Sequence, residues 1–215
     1  MRNPELDAIE MSKRKEKLLE TGFRLFAENS IEAVRLEDIA RESEVGIATL
    51  YRYFGNKPTL VIAIGTKKWQ EYFLEVEEAS KKRDVSNTTA AEDLGFFLDR
   101  FIELYNDHKD LLLFNRNFVT YVKHEGCSVE QMRDYNESIA RFSIKFHNLY
   151  SKAQRDGTLD IRLSEQRMFE NLMYIMIAVA GRYAEGFIYP LDEKRDLSEG
   201  LYMLKDLFMN AFIKK

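Results

Sequence analysis

The sequence predicts an all-α protein of about nine helices: a compact trio at the front, a long connecting helix and a larger helical body. Three observations carry that expectation. Hydrophobic residues make up 45% of the 215-residue chain and charged residues 32%, ample apolar material for a core. With 10 Gly and 3 Pro, the chain has little of what turn-rich β architecture needs. Apolar residues recur at three- and four-residue intervals along most of the chain, the period of a helix that buries one face.

Ser12 to Asn29 places Leu18, Leu19, Gly22, Phe23, Phe26 and Ala27 on one stripe, with charges elsewhere. Leu36 to Ser43 is a short second helix burying Leu36, Ile39 and Ala40, and Ile47 to Phe54 is a third, closed by Gly55 in left-handed geometry. Asn56 then caps a fourth helix, with Pro58 tolerated in its first turn. That helix runs unbroken to about Lys82, roughly 39 Å at ~1.5 Å per residue, long enough to join two units. Val85 to Thr89 reads as a loop. Thr89 to Glu92 is a capping box opening a fifth helix through Asn106, and a sixth runs from Asp110 to Lys123. Ser128 to Gln131 is a second capping box, whose helix ends at Asp156 before Gly157. Ser164 to Gly186 is the eighth, Pro190 closes the following loop, and Asp196 or Ser198 begins the last. The expected organisation is a front domain at 1–56, a connector at 57–82 and a body at 83–215.

Leu36 to Phe54 has the pattern of a helix-turn-helix. The second helix can approach the first closely because Ala40 is small, Val45 flanks the turn and Leu50 anchors from below. Glu44 stands at the turn, where left-handed geometry costs a side chain about 1 to 2 kcal/mol. Thr49, Tyr51, Arg52, Tyr53 and Lys57 follow, with the amino end of another helix directly behind, a surface suited to phosphate oxygens. Periodicity alone also fits a second reading, in which the tyrosines pack on neighbours and Arg52 is a solvated charge. The formal net charge of -4 argues against a protein that coats nucleic acid non-specifically, and residues 1–60, with ten basic against eleven acidic groups, form no basic patch by themselves. A small specific reader stays open.

The segment EDIARESEVGIATLYRYFGNKPTL, Glu37 to Leu60, resembles the DNA-binding region of TetR/AcrR-family transcriptional regulators, and Ser12 to Asn29 resembles that domain's first helix. The motif is TLYRYF at Thr49 to Phe54, followed by a short turn and Lys57; the rest of the chain is similar in length and helical order. The resemblance implies a DNA-binding regulator, not an enzyme: most often a cytoplasmic repressor that binds a palindromic operator as a homodimer and is released by a small, partly apolar effector. By position, Thr49, Tyr51, Tyr53 and Lys57 match phosphate or backbone contacts. Gly46, Ile47 and Ala48 lie at the mouth of the reading helix, and Arg35 starts the second helix where the family often has a phosphate-binding hydroxyl. Gly46 and Ile47 stand where the family often has Ser and Lys, which favours contact with a thymine methyl and shifts weight to Arg52 or Arg41. Lys57→Ala is expected to weaken operator binding evenly across sequences and to lower its salt slope by ~1.

Of 27 aromatic residues, five precede Val61. The others stand at helical spacing in the body, as a packed core requires. The resemblance adds a second possibility, an effector pocket drawing on Phe97, Phe101, Tyr105, Phe118, Tyr121, Phe142, Phe146, Met173, Tyr174 and Ile177. It also implies a dimer through the last two helices, with Met176, Ala180, Tyr183, Leu201, Leu204, Phe208 and Ala211 as interface candidates; ordinary intramolecular core is the alternative. No cofactor or metal is expected: His108, His124 and His147 are scattered, and His124 with Cys127 has no matching second pair. No phosphate-cradling glycine loop or nucleophile elbow is present. The longest apolar run, Leu172 to Ala180, is about half the ~20 residues that cross a bilayer. The competing function is a helical lipid-binding or interaction protein with a degenerate helix-turn-helix.

Overall fold

The computed structural model describes residues 4–83, 87–186 and 196–214. Among these residues the chain forms α1 (Pro4–Glu28), α2 (Leu36–Glu42), α3 (Ile47–Phe54), α4 (Lys57–Lys81), α5 (Ala90–Asp107), α6 (Lys109–His124), α7 (Arg133–Asp156), α8 (Glu165–Ala184) and α9 (Ser198–Phe212). The all-α class is the one expected, and the only extended pairing described is an isolated antiparallel bridge between Leu159 and Ile213. No helix among the described residues is long and apolar enough to cross a membrane.

Local chemistry accounts for most boundaries. Asn56 Oδ1 accepts from the Thr59 amide at 2.9 Å and opens α4. Thr89 and Glu92 form the reciprocal capping box of α5, at 3.2 and 2.7 Å. Gly55 (φ 71°, ψ -48°) closes α3 and Gly157 (φ 68°) closes α7, both at a positive φ that favours glycine, though Gly55 is not in the left-handed helical well. Two starts differ from the sequence reading. α1 begins at Pro4 rather than Ser12, its added turns carrying the Glu10–Arg14 pair one turn apart at 2.8 Å. At Ser128, both capping bonds to Gln131 form, at 2.8 and 3.3 Å, yet they close a separate turn and α7 starts at Arg133. Pro190 lies outside the described residues.

Packing divides the chain into two units that interleave in sequence: Met1–Gln70 with Leu113–Ser138, and Glu71–Leu112 with Ile139–Lys215. In the first, Leu18, Phe26, Ile39, Leu50 and Leu60 are fully buried. Gly22 lets α1 approach α4 closely, since a Cβ there would stand 2.7 Å from Ile64 Cδ1. Asn117 of α6 donates to the carbonyls of Phe26 and Asn29 at 3.2 and 3.1 Å, supplying acceptors left open at the end of α1 with a donor. In the second unit α5 packs on α8 and α9. Asp156 at the end of α7 accepts from the first amide of α5, Ala90, at 2.7 Å.

Candidate functional site

The turn between α2 and α3 bends at Glu44, the one non-glycine residue with positive φ (57°) among those described. Its carboxylate lies 3.3 Å from Lys17 Nζ of α1. This turn delivers α3 with Leu50 and Phe54 buried and the opposite face open. Gly46, Ala48, Tyr51 and Arg52 are exposed, Ile47 and Thr49 half-buried, and Arg35, the residue before α2, is exposed. The face predicted to meet DNA is therefore accessible at most of its predicted positions.

The charge balance of this unit becomes informative once pairs are assigned. Glu16 and Glu20 of α1 are met by Lys67 and Lys68 of α4 at 2.7 to 2.9 Å. Burial pushes the Glu20 carboxyl up, but those two ammoniums outweigh it and hold it below the usual range. Arg24 takes Glu28 and Glu42, and Arg41 takes Asp38 at 2.7 Å. Arg35, Arg52, Lys13 and Lys15 have no ion pair among the described residues. A segment neutral by count thus keeps unpaired cations beside its reading helix. Lys13, Arg14 and Lys17 also line a groove of about 410 Å³ with Glu44, Gly46 and Thr49. Sequence reasoning passed over these α1 cations; the signal was their spacing of one helical turn, on a helix that begins earlier than its apolar stripe.

Two predicted contacts differ in detail. Tyr53 Oη is buried and has no hydrogen-bond partner. Its ring packs edge-on against Phe54 at 6.3 Å, with the Arg52 guanidinium over it at 5.4 Å, so no hydroxyl is offered to a phosphate. Tyr53→Phe is accordingly expected to leave DNA affinity unchanged and to raise unfolding free energy by about 1 kcal/mol, because an unsatisfied buried hydroxyl is removed. Urea unfolding and a DNA titration on the same variant check both parts. Lys57 is half-buried. Its Nζ donates to the Glu32 carbonyl at 3.3 Å and lies over Phe26 and Tyr121 at 6.0 and 5.7 Å, and burial lowers its pKa. An ammonium has three N–H groups, so two remain for phosphate oxygens.

The second unit holds a cavity of about 550 Å³, within the ~300 to 1,000 Å³ usual for ligand sites. Of the ten aromatic and apolar residues singled out in the sequence, Phe97 and Phe142 line it. Phe118 and Tyr121 belong to the first unit, where Phe118 stacks on Tyr135 at 4.4 Å. Phe101 and Phe146 are core, packed 5.3 Å from Phe97. Tyr105 meets Tyr183 at 6.3 Å, Met173 is buried away from the cavity, Ile177 is half-buried and Tyr174 is 65% exposed. The lining that sequence reasoning missed is cationic: Arg83, Arg100, Lys145, Lys152 and Arg155, against the single carboxylate Asp93. Its signal was present, since residues 145, 149, 152 and 155 repeat at helical spacing on α7, opposite 93, 96, 97 and 100 on α5; a charged stripe ordinarily reads as a solvated face.

Of the seven predicted dimer residues, three turn inward. Met176, Ala180 and Leu201 are fully buried within the one chain, Tyr183, Leu204 and Phe208 are half-buried, and Ala211 is exposed. Both helices are apolar on more than one side, and both pack on α5. Exposed apolar side chains stand at Tyr174 and Ile175 on α8 and at Tyr202, Met203 and Leu207 on α9.

Residues 18–64 match the family profile described as bacterial regulatory proteins, tetR family. The uncharacterized HTH-type transcriptional regulator YuxN of Bacillus subtilis is 25% identical over 157 residues, covering 69% of this chain and half the length of that protein. The fold is similar to that of FadR from Bacillus subtilis in complex with stearoyl-CoA (TM-score 0.68, 19% identity, 90% of this chain and 97% of that one). It is also similar to that of a transcriptional regulator from Saccharomonospora viridis in complex with choline (TM-score 0.72, 16% identity, 95% and 100%). One fold thus holds an acyl thioester in one protein and a quaternary ammonium in another, so ligand chemistry is set by each chain's own lining.

Proposed function

We propose that this chain, a member of the TetR family of bacterial regulatory proteins, is a repressor that binds a palindromic operator as a homodimer and is released by a small, partly apolar effector held in the cavity of its second unit. The observation that carries the DNA-binding part is the Glu44 turn presenting α3 with Tyr51 and Arg52 outward and unpaired cations beside them. A helix with this exposure enters a major groove with its amino-terminal residues against base edges, while tyrosine and cations take phosphates. Gly46, Ile47 and Ala48 offer no side-chain hydrogen bond, so base reading falls to apolar contact, and Arg52 stands among the cations that take phosphates.

The open apolar faces of α8 and α9 support the dimer, because a reader of two symmetric half-sites must itself be two-fold. Release follows from the unbroken helices α4, α6 and α7, each of which contributes residues to both units. An occupant that displaces α7 residues of the second unit carries that displacement along the same backbone into the first. The reading heads must span about 34 to 36 Å, and a coupling of ~1 to 3 kcal/mol suffices for induction. A gel shift against the chain's own promoter region tests the function: a complex that resists excess unrelated duplex is expected. Retention no stronger than that of the unrelated duplex would overturn it and favour a helical carrier protein.

A further inference from the structure

We propose that the cavity of the second unit is a site for an amphipathic anion, its carboxylate or phosphate drawn to the cations of the lining, Lys145 and Arg155 among them, and its apolar chain lying on Phe97, Phe142 and Leu149. The proposal rests on the effector reading above and names the chemical class of that effector.

The charge count points to an anion. Asp93 is shared between Arg83 and Lys152, at 2.8 Å from each, so one negative charge serves two positive ones. Lys145 has no ion pair among the described residues; its one described hydrogen bond runs to Ser80 Oγ at 3.4 Å, and burial depresses its pKa. Arg155 has no ion pair among the described residues either. Arg100 pairs with Glu103, yet its Nε is buried without a hydrogen-bond partner, although its side chain is only 12% exposed. Lys145, half-buried with no carboxylate paired to it among the described residues, is costly to hold, and a bound anion removes that cost.

The geometry supplies the apolar half. Phe96 lies beneath both guanidiniums, 4.8 Å from Arg83 and 4.2 Å from Arg100, which fixes these cations beside an aromatic surface. Phe97 and Phe142 are buried and continue that surface with Leu149 and Val76. A lining of this sign disfavours a quaternary ammonium and is wasted on an uncharged hydrocarbon.

Titration calorimetry on the full chain, below micellar concentrations, tests the class with dodecanoate, dodecanoyl-CoA, dodecanol, dodecyltrimethylammonium and free CoA. At least one acyl anion is expected to bind about tenfold or more tighter than the alcohol and the ammonium. A preference for dodecanoyl-CoA over dodecanoate identifies phosphate as the head, and the reverse identifies carboxylate. Lys145→Gln combined with Arg155→Gln is expected to lose about tenfold in anion affinity while dodecanol binding stays within about twofold. Arg155→Gln alone, at an exposed position, gives the same direction if the double variant does not fold. Equal affinity for dodecanol, tighter binding of the ammonium, no binding by either acyl anion, or an unchanged affinity in the folded variant overturns the proposal. No DNA is present, so failure here leaves the operator reading standing, and failure of the gel shift leaves the cavity result intact.

Discussion

Replacing Leu207 with glutamate is expected to convert the protein from a dimer of twice 25.3 kDa to a monomer of 25.3 kDa in solution, and to abolish operator binding at concentrations where the parent protein binds fully. Leu207 is 58% exposed in the single chain, so the substitution costs the fold itself little. In the proposed dimer through α8 and α9 the same position is covered, and two unpaired carboxylates related by the two-fold axis then face a desolvated apolar surface. Met203, 63% exposed and one turn earlier on α9, belongs to the same face and gives a second variant with the same expected outcome. Loss of affinity follows from valency: once one reading head is bound, its partner sees the second half-site at an effective concentration of about millimolar order, and losing that link costs about 100-fold or more. Light scattering and a gel shift on one preparation read both effects. A glutamate variant that remains dimeric moves the interface away from α9. One that is monomeric and still binds the full operator tightly removes the need for a dimer.

The same two helices show why the body was harder to read than the front. α3 was legible to the residue, Ile47–Phe54, because a short helix with one buried face, a left-handed turn before it and a glycine after it has few alternatives. Thr89, Asn56 and Gly157 were equally plain, since a cap is settled by chemistry within four residues. In α8 and α9, apolar residues occupy more than one stripe. Periodicity then gives a helix but not which stripe faces its own chain, and Met176 went inside while Tyr174 stayed out. The cavity failed for a related reason: Lys145, Lys152 and Arg155 look like a solvated face until α5 is placed opposite them. The charge of the front unit was hidden likewise, because Glu16 and Glu20 find their partners Lys67 and Lys68 on α4, more than forty positions away in sequence.

Those pairings set the second large effect. Arg52 is exposed, carries no ion pair among the described residues and sits in the last turn of α3. Each phosphate contact contributes about 0.9 to the slope of log affinity against log salt, and a dimer loses two contacts per substitution, so Arg52→Ala is expected to lower the slope by about 1.8. At low salt this amounts to at least about tenfold in affinity. Urea unfolding should be unchanged, because the side chain supports little but the ring of Tyr53. Lys57→Ala is expected to lower the slope by the same amount, twice the per-chain figure of ~1, and to cost about 1 kcal/mol of stability as well. Its Nζ holds the Glu32 carbonyl and lies over two aromatic rings, contacts that alanine cannot replace. The pair of variants therefore separates a cation that serves only DNA from one that also serves the fold. A salt titration in which Lys57→Ala destabilises the protein but leaves the slope untouched assigns Lys57 to the fold alone. An unchanged slope for Arg52→Ala would take the outer face of α3 off the duplex, and with it the proposed mode of reading.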